Sequence, residues 1–336
     1  MKRIVMMSIA LVALLGAANV GGAADLKKVV VLDMQNLNPL IFDQMLNGLT
    51  QAGLTDQQNV RIEKIVVPSQ GDLTQVVAQI QESAPSAILD VSGLSDVLVA
   101  LKGLPIPVIT RVNVEPFVGE DGMPTSNITG TYTTLQDMVF NSYKFLQKVA
   151  PLKPGQQVVF LDNPKFSILP KERVIDALQR LQIPLKAVVN AEVFEDWQQA
   201  ILQYNDDPEV GWILRSSPTR KRDGSALNVI TELYPWQREH LKKPTVSYWE
   251  FPVQAGTLCA FGIDTAEVGM QCGRMVARVL QGEEINTIKA EYPGKVNIAL
   301  NRKTATNLGI VFPMDVLNLA NVIYDDYEGK QVIRKK

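Results

Sequence analysis

The sequence predicts an α/β protein of two doubly wound lobes, each carrying a parallel sheet. Two observations predict it. Short apolar runs that end in a polar residue alternate with amphipathic helical spacings, and the pattern restarts after a Gly/Pro/Asn-rich stretch at Gly119–Gly130. Such runs are strands buried on both faces, and βαβ repetition builds a parallel sheet between helices. The length agrees: 336 residues allow two domains of roughly 150 each.

The first strand is Lys28–Asp33 (KVVVLD). Pro39–Ala52 follows as a helix, with Ile41, Met45 and Leu49 on one face. Val60–Val66 is a strand, and Leu73, Val76, Val77 and Ile80 keep helical spacing. Ala87–Val91 and Pro107–Thr110 are short strands separated by a helical Ser95–Lys102. In the second half Leu135–Val149 is a long helix, ended by Pro151, Pro154 and Gly155. Gln157–Leu161 is a strand, and Val174, Ile175, Leu178 and Leu181 mark a helix. Leu185–Asn190 (strand), Trp197–Tyr204 (helix), Val210–Leu214 (strand), Leu227–Tyr234 (helix) and Thr245–Trp249 (strand) complete the pattern.

Residues 1–24 have the order of a secretory signal peptide. Lys2 and Arg3 precede an apolar run, Ile4–Leu15, and small residues close it: Gly16, Ala17, Ala18, Gly21, Gly22, Ala23 and Ala24. The apolar core is well short of the ~20 residues that cross a bilayer. Cleavage after Ala23 or Ala24 is expected, and with it a periplasmic location. No cysteine lies in the leader or at its cleavage site, so no lipid anchor is expected and the mature chain reads as a freely diffusing monomer. Lys+Arg 33 against Asp+Glu 35 leaves no field that would recruit nucleic acid or anionic lipid.

Catalytic and metal chemistry find little support. His240 is the only histidine, and its segment (REHLKK) reads as exposed surface. The sequence has no G-x-S-x-G elbow, H-E-x-x-H helix or P-loop. Cys259 and Cys272 have no histidine nearby to complete a zinc site. They read either as a disulfide, suited to an oxidising compartment, or as two small buried thiols, one on a strand and one on the following helix. No enzyme, cofactor or metal is expected.

Three segments carry a resemblance. The first is PVITRVNVEPFV (Pro107–Val118) followed by NITG (Asn127–Gly130), and the second is LKPGQQVVFLDNP (Leu152–Pro164). The third is GIDTAEVGMQCGRMVARVLQGEEI followed by VNIALNRKTATNLGIVFP, within Gly262–Pro313. Together they resemble the ABC-transporter substrate-binding family related to the tryptophan/tyrosine-binding lipoproteins, which has a type I periplasmic binding-protein fold. That resemblance implies three chain crossings, near Thr129–Tyr132, Phe261–Asp264 and Tyr292–Val296. Lobe one would be 25–130 plus 265–291, and lobe two 131–264 plus 292–336. It further implies that an amino acid or similar carboxylate is captured between the lobes for the membrane permease of an ABC importer. The alternative recipient is a membrane sensor, a histidine kinase or chemoreceptor. Ser217–Gly256 and Arg111 depart from the commoner members.

Ligands of open α/β sheets bind in the loops after the strands. In lobe one those positions hold Gln35, Asn36, Ser92, Ser95, Arg111, Asn113 and Glu115. Ser92 and Ser95 open a helix whose free N–H groups suit an anion, and Ser95 also suits a helix cap with Asp96 in its first turn. Arg111 either holds a carboxylate or pairs internally with Glu115 or Asp33. In lobe two Asn163, Phe166, Ser216, Ser217 and Asp264 stand at strand ends. The resemblance places an amino-group or hydroxyl partner at Asp264, whose plainer role is to hold the hinge through backbone hydrogen bonds. Trp236, Tyr248 and Trp249 form either an aromatic wall or internal packing. Arg220, Lys221 and Arg222 read as a solvated basic turn, or as a dock for a membrane partner.

Overall fold

The computed structural model describes residues 26–34, 39–68, 72–135, 137–164 and 170–335. The leader reading and the site candidates Gln35, Asn36 and Phe166 lie outside the described residues. The first half runs β1 (Lys27–Met34), α1 (Pro39–Gln51), β2 (Val60–Val67), α2 (Thr74–Ser83), β3 (Ala87–Asp90), α3 (Ser95–Leu101), β4 (Val108–Thr110) and β5 (Ile128–Gly130). The second half begins with α4 (Met138–Val149), β6 (Gln157–Asp162), α5 (Lys171–Arg180), β7 (Leu185–Asn190), α6 (Phe194–Asn205) and β8 (Val210–Arg215). Then come α7 (Tyr234–His240), β9 (Val246–Ser247), α8 (Glu250–Gln254), β10 (Cys259–Ile263) and α9 (Thr265–Leu280). The chain finishes with β11 (Val296–Asn301), α10 (Arg302–Asn307), α11 (Met314–Leu319), β12 (Val322–Tyr324) and β13 (Val332–Arg334).

The first lobe is a parallel sheet in the order β2-β1-β3-β4-β5. The interior strand β1 is apolar along its middle because both faces are covered: Val29, Val30, Val31 and Leu32 are all buried. One face packs α2 and α3 through Val76, Ile80, Val97, Leu98 and Leu101. The other packs α1 and the returning helix α9, through Met45, Leu49, Val268, Cys272, Met275 and Val276. Gly48 and Gly273 let these two helices touch backbone to backbone. A Cβ at Gly48 would run into the carbonyl of Met270, and one at Gly273 into that of Met45.

The second lobe divides its strands. β7-β6-β8 is parallel, as expected, and β13-β12-β11-β10-β9 is a mixed set in which β10 and β11 run antiparallel. A bond from Ile213 N–H to Pro244 O (3.2 Å) joins the two groups. The antiparallel pair arises because the chain re-enters beside the strand it left by, after α9 has been spent in lobe one.

Three segments therefore run side by side between the lobes. Tyr132 N–H donates to Glu291 O (3.0 Å), Glu291 N–H to Gly130 O (3.0 Å), and Asp264 N–H to Lys295 O (3.3 Å). The Tyr132 and Tyr292 rings stack there, with centroids 4.3 Å apart. Gly130 sits where the chain leaves the sheet, and a Cβ on it would overlap the Thr110 carbonyl.

Several local expectations shift. The long helix starts at Met138, not Leu135, because Asp137 adopts a left-handed φ of 51° that the helix cannot include. Leu227–Tyr234 is not one α-helix: a π-helical turn, Val229–Leu233, leads into α7, whose first turn accommodates Pro235. The strand expected at Thr245–Trp249 shortens to Val246–Ser247, since α8 starts at Glu250. The disulfide alternative fails: Cys259 on β10 and Cys272 on α9 are free, buried thiols. Burial pushes the Cys272 thiol up to about 12 and the Cys259 thiol up as well. His240 is half-buried, not exposed, stacked on Trp236 one turn earlier at 4.3 Å. One ring nitrogen is 2.8 Å from Trp236 O. No helix of the described residues is long and apolar enough to cross a membrane.

Candidate functional site

Two adjoining cavities open at the carboxyl ends of the strands. The first, about 280 Å³, is lined by Gly93, Arg111, Val112, Asn113, Tyr132 and Thr133, by Ile263, Thr265 and Val268, and by Trp249. The second, about 230 Å³, is lined by Arg215, Ser216, Ser217, Val229, Tyr234, Val246, Ser247, Tyr248, Pro252 and again Trp249. Trp249 is the shared wall. Together the two spaces fall in the range of roughly 300–1,000 Å³ typical of small-molecule sites, and they sit where open α/β sheets bind ligands. A larger cavity of about 380 Å³ lies between Tyr132, Tyr292 and α4–α5. Part of its charged lining is internally paired, Arg180 with Asp137 at 3.1 Å and with Asp176 at 3.4 Å.

Arg111 follows the last residue of β4. Its Nε donates to Val91 O at 2.6 Å, which fixes the guanidinium beside Gly93, a left-handed glycine (φ 67°). The expected internal partners are engaged elsewhere. Glu115 accepts from Thr133 N–H (2.9 Å) and Oγ1–H (3.1 Å), and Asp33 pairs with Lys64. The carboxylate that acts most strongly on Arg111 is instead Asp90, at the end of β3. Burial raises the Asp90 carboxyl above its usual range, and hydrogen bonds from Ser92 and Thr110 and the charge of Arg111 oppose that rise. Asp90 accepts from Ser92 Oγ–H (2.5 Å), Ser92 N–H (3.1 Å) and Gly93 N–H (3.3 Å), with Thr110 Oγ1 at 3.1 Å. Asn113 latches this loop: its Nδ2 donates to Gly93 O (2.7 Å) and its backbone N–H to Thr133 Oγ1 (2.8 Å).

Neither Ser92 nor Ser95 lines the cavities. Ser92 is buried against Asp90 and accepts from Leu94 N–H (3.3 Å). Ser95 is already helical and exposed, so it cannot cap: the cap position is Leu94, which offers no side-chain acceptor. In lobe two Asn163 is buried and donates to Ser217 O (3.0 Å), tying the end of β6 to the end of β8. Asp264 caps α9, its Oδ1 accepting from Ala266 N–H (3.0 Å) and Glu267 N–H (3.2 Å). It stands next to the cavity residue Thr265.

The aromatic trio separates. Trp249 alone faces both cavities. Tyr248 is 7% exposed and its hydroxyl donates to Tyr143 Oη (3.0 Å). Trp236 packs on Phe194, Trp197 and His240. Each cation of the basic turn has an acidic neighbour. Arg220 pairs with Glu192 (3.2 Å), Lys221 with Glu232, and Arg222 with Asp196 (2.6 Å).

Sequence reading missed Arg215, the last residue of β8. It closes the apolar strand VGWILR just ahead of Ser216 and Ser217, so a cation at the end of a buried strand was the available signal. Its Nη1 donates to Ser217 Oγ (3.1 Å) and its Nη2 to Thr257 Oγ1 (3.2 Å). The guanidinium lies 5.7 Å from the Trp197 ring and 5.9 Å from that of Tyr234. Its Nε is enclosed without a partner. Burial pushes both guanidinium groups below their ordinary value, opposed at Arg111 by Asp90 and at Arg215 by Tyr234. Tyr132, Thr133, Thr265 and Ser247 also line the space unforeseen. Among the described residues no cluster of three or more His, Cys, Asp and Glu side chains could hold a metal ion.

A family model described as ABC transporter substrate binding protein matches residues 39–323. No curated protein matches the sequence significantly. Among solved structures, an ABC domain from Streptococcus pneumonia in complex with L-Trp is 20% identical over 89% of this chain and 99% of that one, with a TM-score of 0.66. A ligand-free, open substrate-binding protein with adhesive properties from Clostridium difficile is 18% identical over 86% and 97%, with a TM-score of 0.66. A conserved domain protein from Vibrio cholerae is 18% identical over 89% and 99%, with a TM-score of 0.65. At these identities the likeness is one of fold, that of type I periplasmic binding proteins.

Proposed function

We propose that this chain, which belongs to the ABC transporter substrate-binding protein family, captures a small organic carboxylate between its lobes for the permease of an ABC importer. Substrate-binding proteins of this kind are not enzymes. They bind a small ligand and deliver it to a permease. The observation that carries the ligand class is the pair of strand-end arginines, Arg111 and Arg215, on adjoining cavities that share Trp249. A guanidinium presents paired N–H donors that match a carboxylate, and an indole offers a flat apolar face to the rest of the molecule.

The lobes are taken as 25–130 with 265–291 and 131–264 with 292–336, with residues 1–24 as the export leader to the periplasm. The packing of α9 on α1 and the three crossings that run side by side support that division. Closure about such crossings is a hinge motion, and ligand favours the closed form by touching both lobes at once.

Native mass spectrometry of the purified chain, followed by thermal melts with the released solute, tests the reading. A ligand at 100 times its Kd stabilises by about 2.7 kcal/mol, a rise of roughly 5–10 °C for domains of this size. Recovery of a carboxylate that raises the melting temperature is expected. A chain that binds only uncharged solutes contradicts the ligand class.

A further inference from the structure

Resting on that cleft reading, we infer that Arg215 anchors the ligand's carboxylate and that the ligand is an organic acid without an amino group. Arg215 is the guanidinium that lacks an acid. No carboxylate of the described residues lies within 4.0 Å of it, and its side-chain partners are neutral hydroxyls, those of Ser217 and Thr257 and that of Tyr234. The faces of Trp197 and Tyr234 enclose it without neutralising it. A charge held this way in a cavity wall calls for an anion in the cavity. Ser216, Ser217 and Ser247 stand beside it as further donors for carboxylate oxygens. Arg111 differs, because Asp90 already offsets its charge.

The same cavities offer no carboxylate to an ammonium group. Neither is lined by an aspartate or glutamate, and none of residues 35–38 or 165–169 is acidic. The carboxylates closest in sequence to the lining already hold hydrogen bonds or ion pairs, Glu267 with Arg274 and Lys295 (2.9 Å each) and Glu232 with Lys221 among them. Glu115 is held by Thr133, Asp264 caps α9, and Glu250 is bound by Asn297 Nδ2 (2.7 Å), Arg334 (2.7 Å) and Tyr324. An amino acid would bring a positive charge into cavities that carry Arg111 and Arg215 and no carboxylate in their lining. A hydroxy acid, keto acid or plain carboxylic acid with an apolar body along Trp249 meets no such penalty.

Matched pairs that differ at the amino group provide the test: phenyllactate against L-phenylalanine, indole-3-lactate against L-tryptophan, and malate against L-aspartate. Each is titrated calorimetrically into the purified chain and into Arg215→Met. At least one acid is expected to bind, with its amino partner at least tenfold weaker and the Arg215→Met variant at least tenfold weaker again. If that variant does not fold, Arg215→Lys keeps the charge but loses the paired geometry, and a comparable loss is expected. The inference is overturned if the amino acids bind as well as the acids, if the Arg215 variants bind like the parent, or if no acid binds. In the last case a solute recovered by native mass spectrometry from the parent chain but not from Trp249→Ala leaves the cleft reading standing. Absence of any such solute removes both.

Discussion

Replacing Asp264 should loosen α9 and leave acid binding untouched. The carboxylate is the cap of that helix, its Oδ1 accepting from Ala266 N–H at 3.0 Å and Glu267 N–H at 3.2 Å. Asp264→Ala removes the cap, typically about 1 kcal/mol, and a negative charge at the helix N-terminus, about 0.3–1 kcal/mol. The sum of roughly 1–2 kcal/mol corresponds to a fall in melting temperature of about 3–6 °C. Asp264→Asn keeps an oxygen acceptor and loses only the charge, so a fall of roughly 1–3 °C is expected. Because α9 packs against α1 and the first sheet, its fraying is felt by the whole lobe. Circular-dichroism melts read the stability, and calorimetric titration with the preferred acid reads the site. Affinity should stay within about twofold in Asp264→Asn, since Oδ1 is held by the helix N–H groups and the carboxylate does not line either cavity. Unchanged stability in Asp264→Ala would refute the cap. A tenfold loss of affinity in Asp264→Asn would instead make this side chain a ligand contact, as the family resemblance had suggested.

Other perturbations reach the rest of the molecule. Trp249→Ala strips the wall shared by the two cavities and should weaken binding by about 10–100-fold, the worth of a buried large apolar side chain; a loss under threefold in a titration contradicts that role. Reductant should leave the melting temperature unchanged, and iodoacetamide at pH 8 should label Cys259 and Cys272 only after unfolding in urea, because burial holds both thiols protonated. Labelling in the native chain would show that one thiol is reached. Burial raises the Asp90 carboxyl, so its protonated form suits the folded state. That stability is complete below the ordinary carboxylate value of ~3.9 and is lost as pH rises through the folded value. The melting-temperature advantage of Asp90→Asn over the parent should therefore widen from pH 4 upward, and a gap that narrows contradicts the buried charge.

The first lobe was legible because its signals are local. KVVVLD carries the mark of a strand covered on both faces, and Val76, Ile80 and their neighbours keep the helical period that their burial requires. Helix α4 was misjudged at its start because apolar spacing at Leu135 continues through Asp137, whose left-handed backbone stops the helix. The pairing of Gly48 with Gly273 joins residues far apart in sequence, and no period records it.

The site divided on the same line. Strand-end logic found Arg111, Asn113, Ser216, Ser217 and Trp249, all of which line the two cavities. It could not tell that Glu115 and Asp33 are claimed by Thr133 and Lys64, leaving Asp90 to face Arg111. The acidic partners of the solvated basic turn were hidden for the same reason: Glu192, Asp196 and Glu232 reach it only in the fold. Arg215 was overlooked as the tail of a hydrophobic strand. Its meaning lies in the acid that is not beside it, which a sequence cannot display.

A crystal structure of the chain with the acid it binds best tests the account most directly. The prediction is electron density for that acid between the lobes, its carboxylate on the Arg215 guanidinium and its body against Trp249, with no ion pair to Asp264. Density in the cavity beside Tyr132 and Tyr292, or a carboxylate held by lobe one alone with Arg215 left empty, would contradict it.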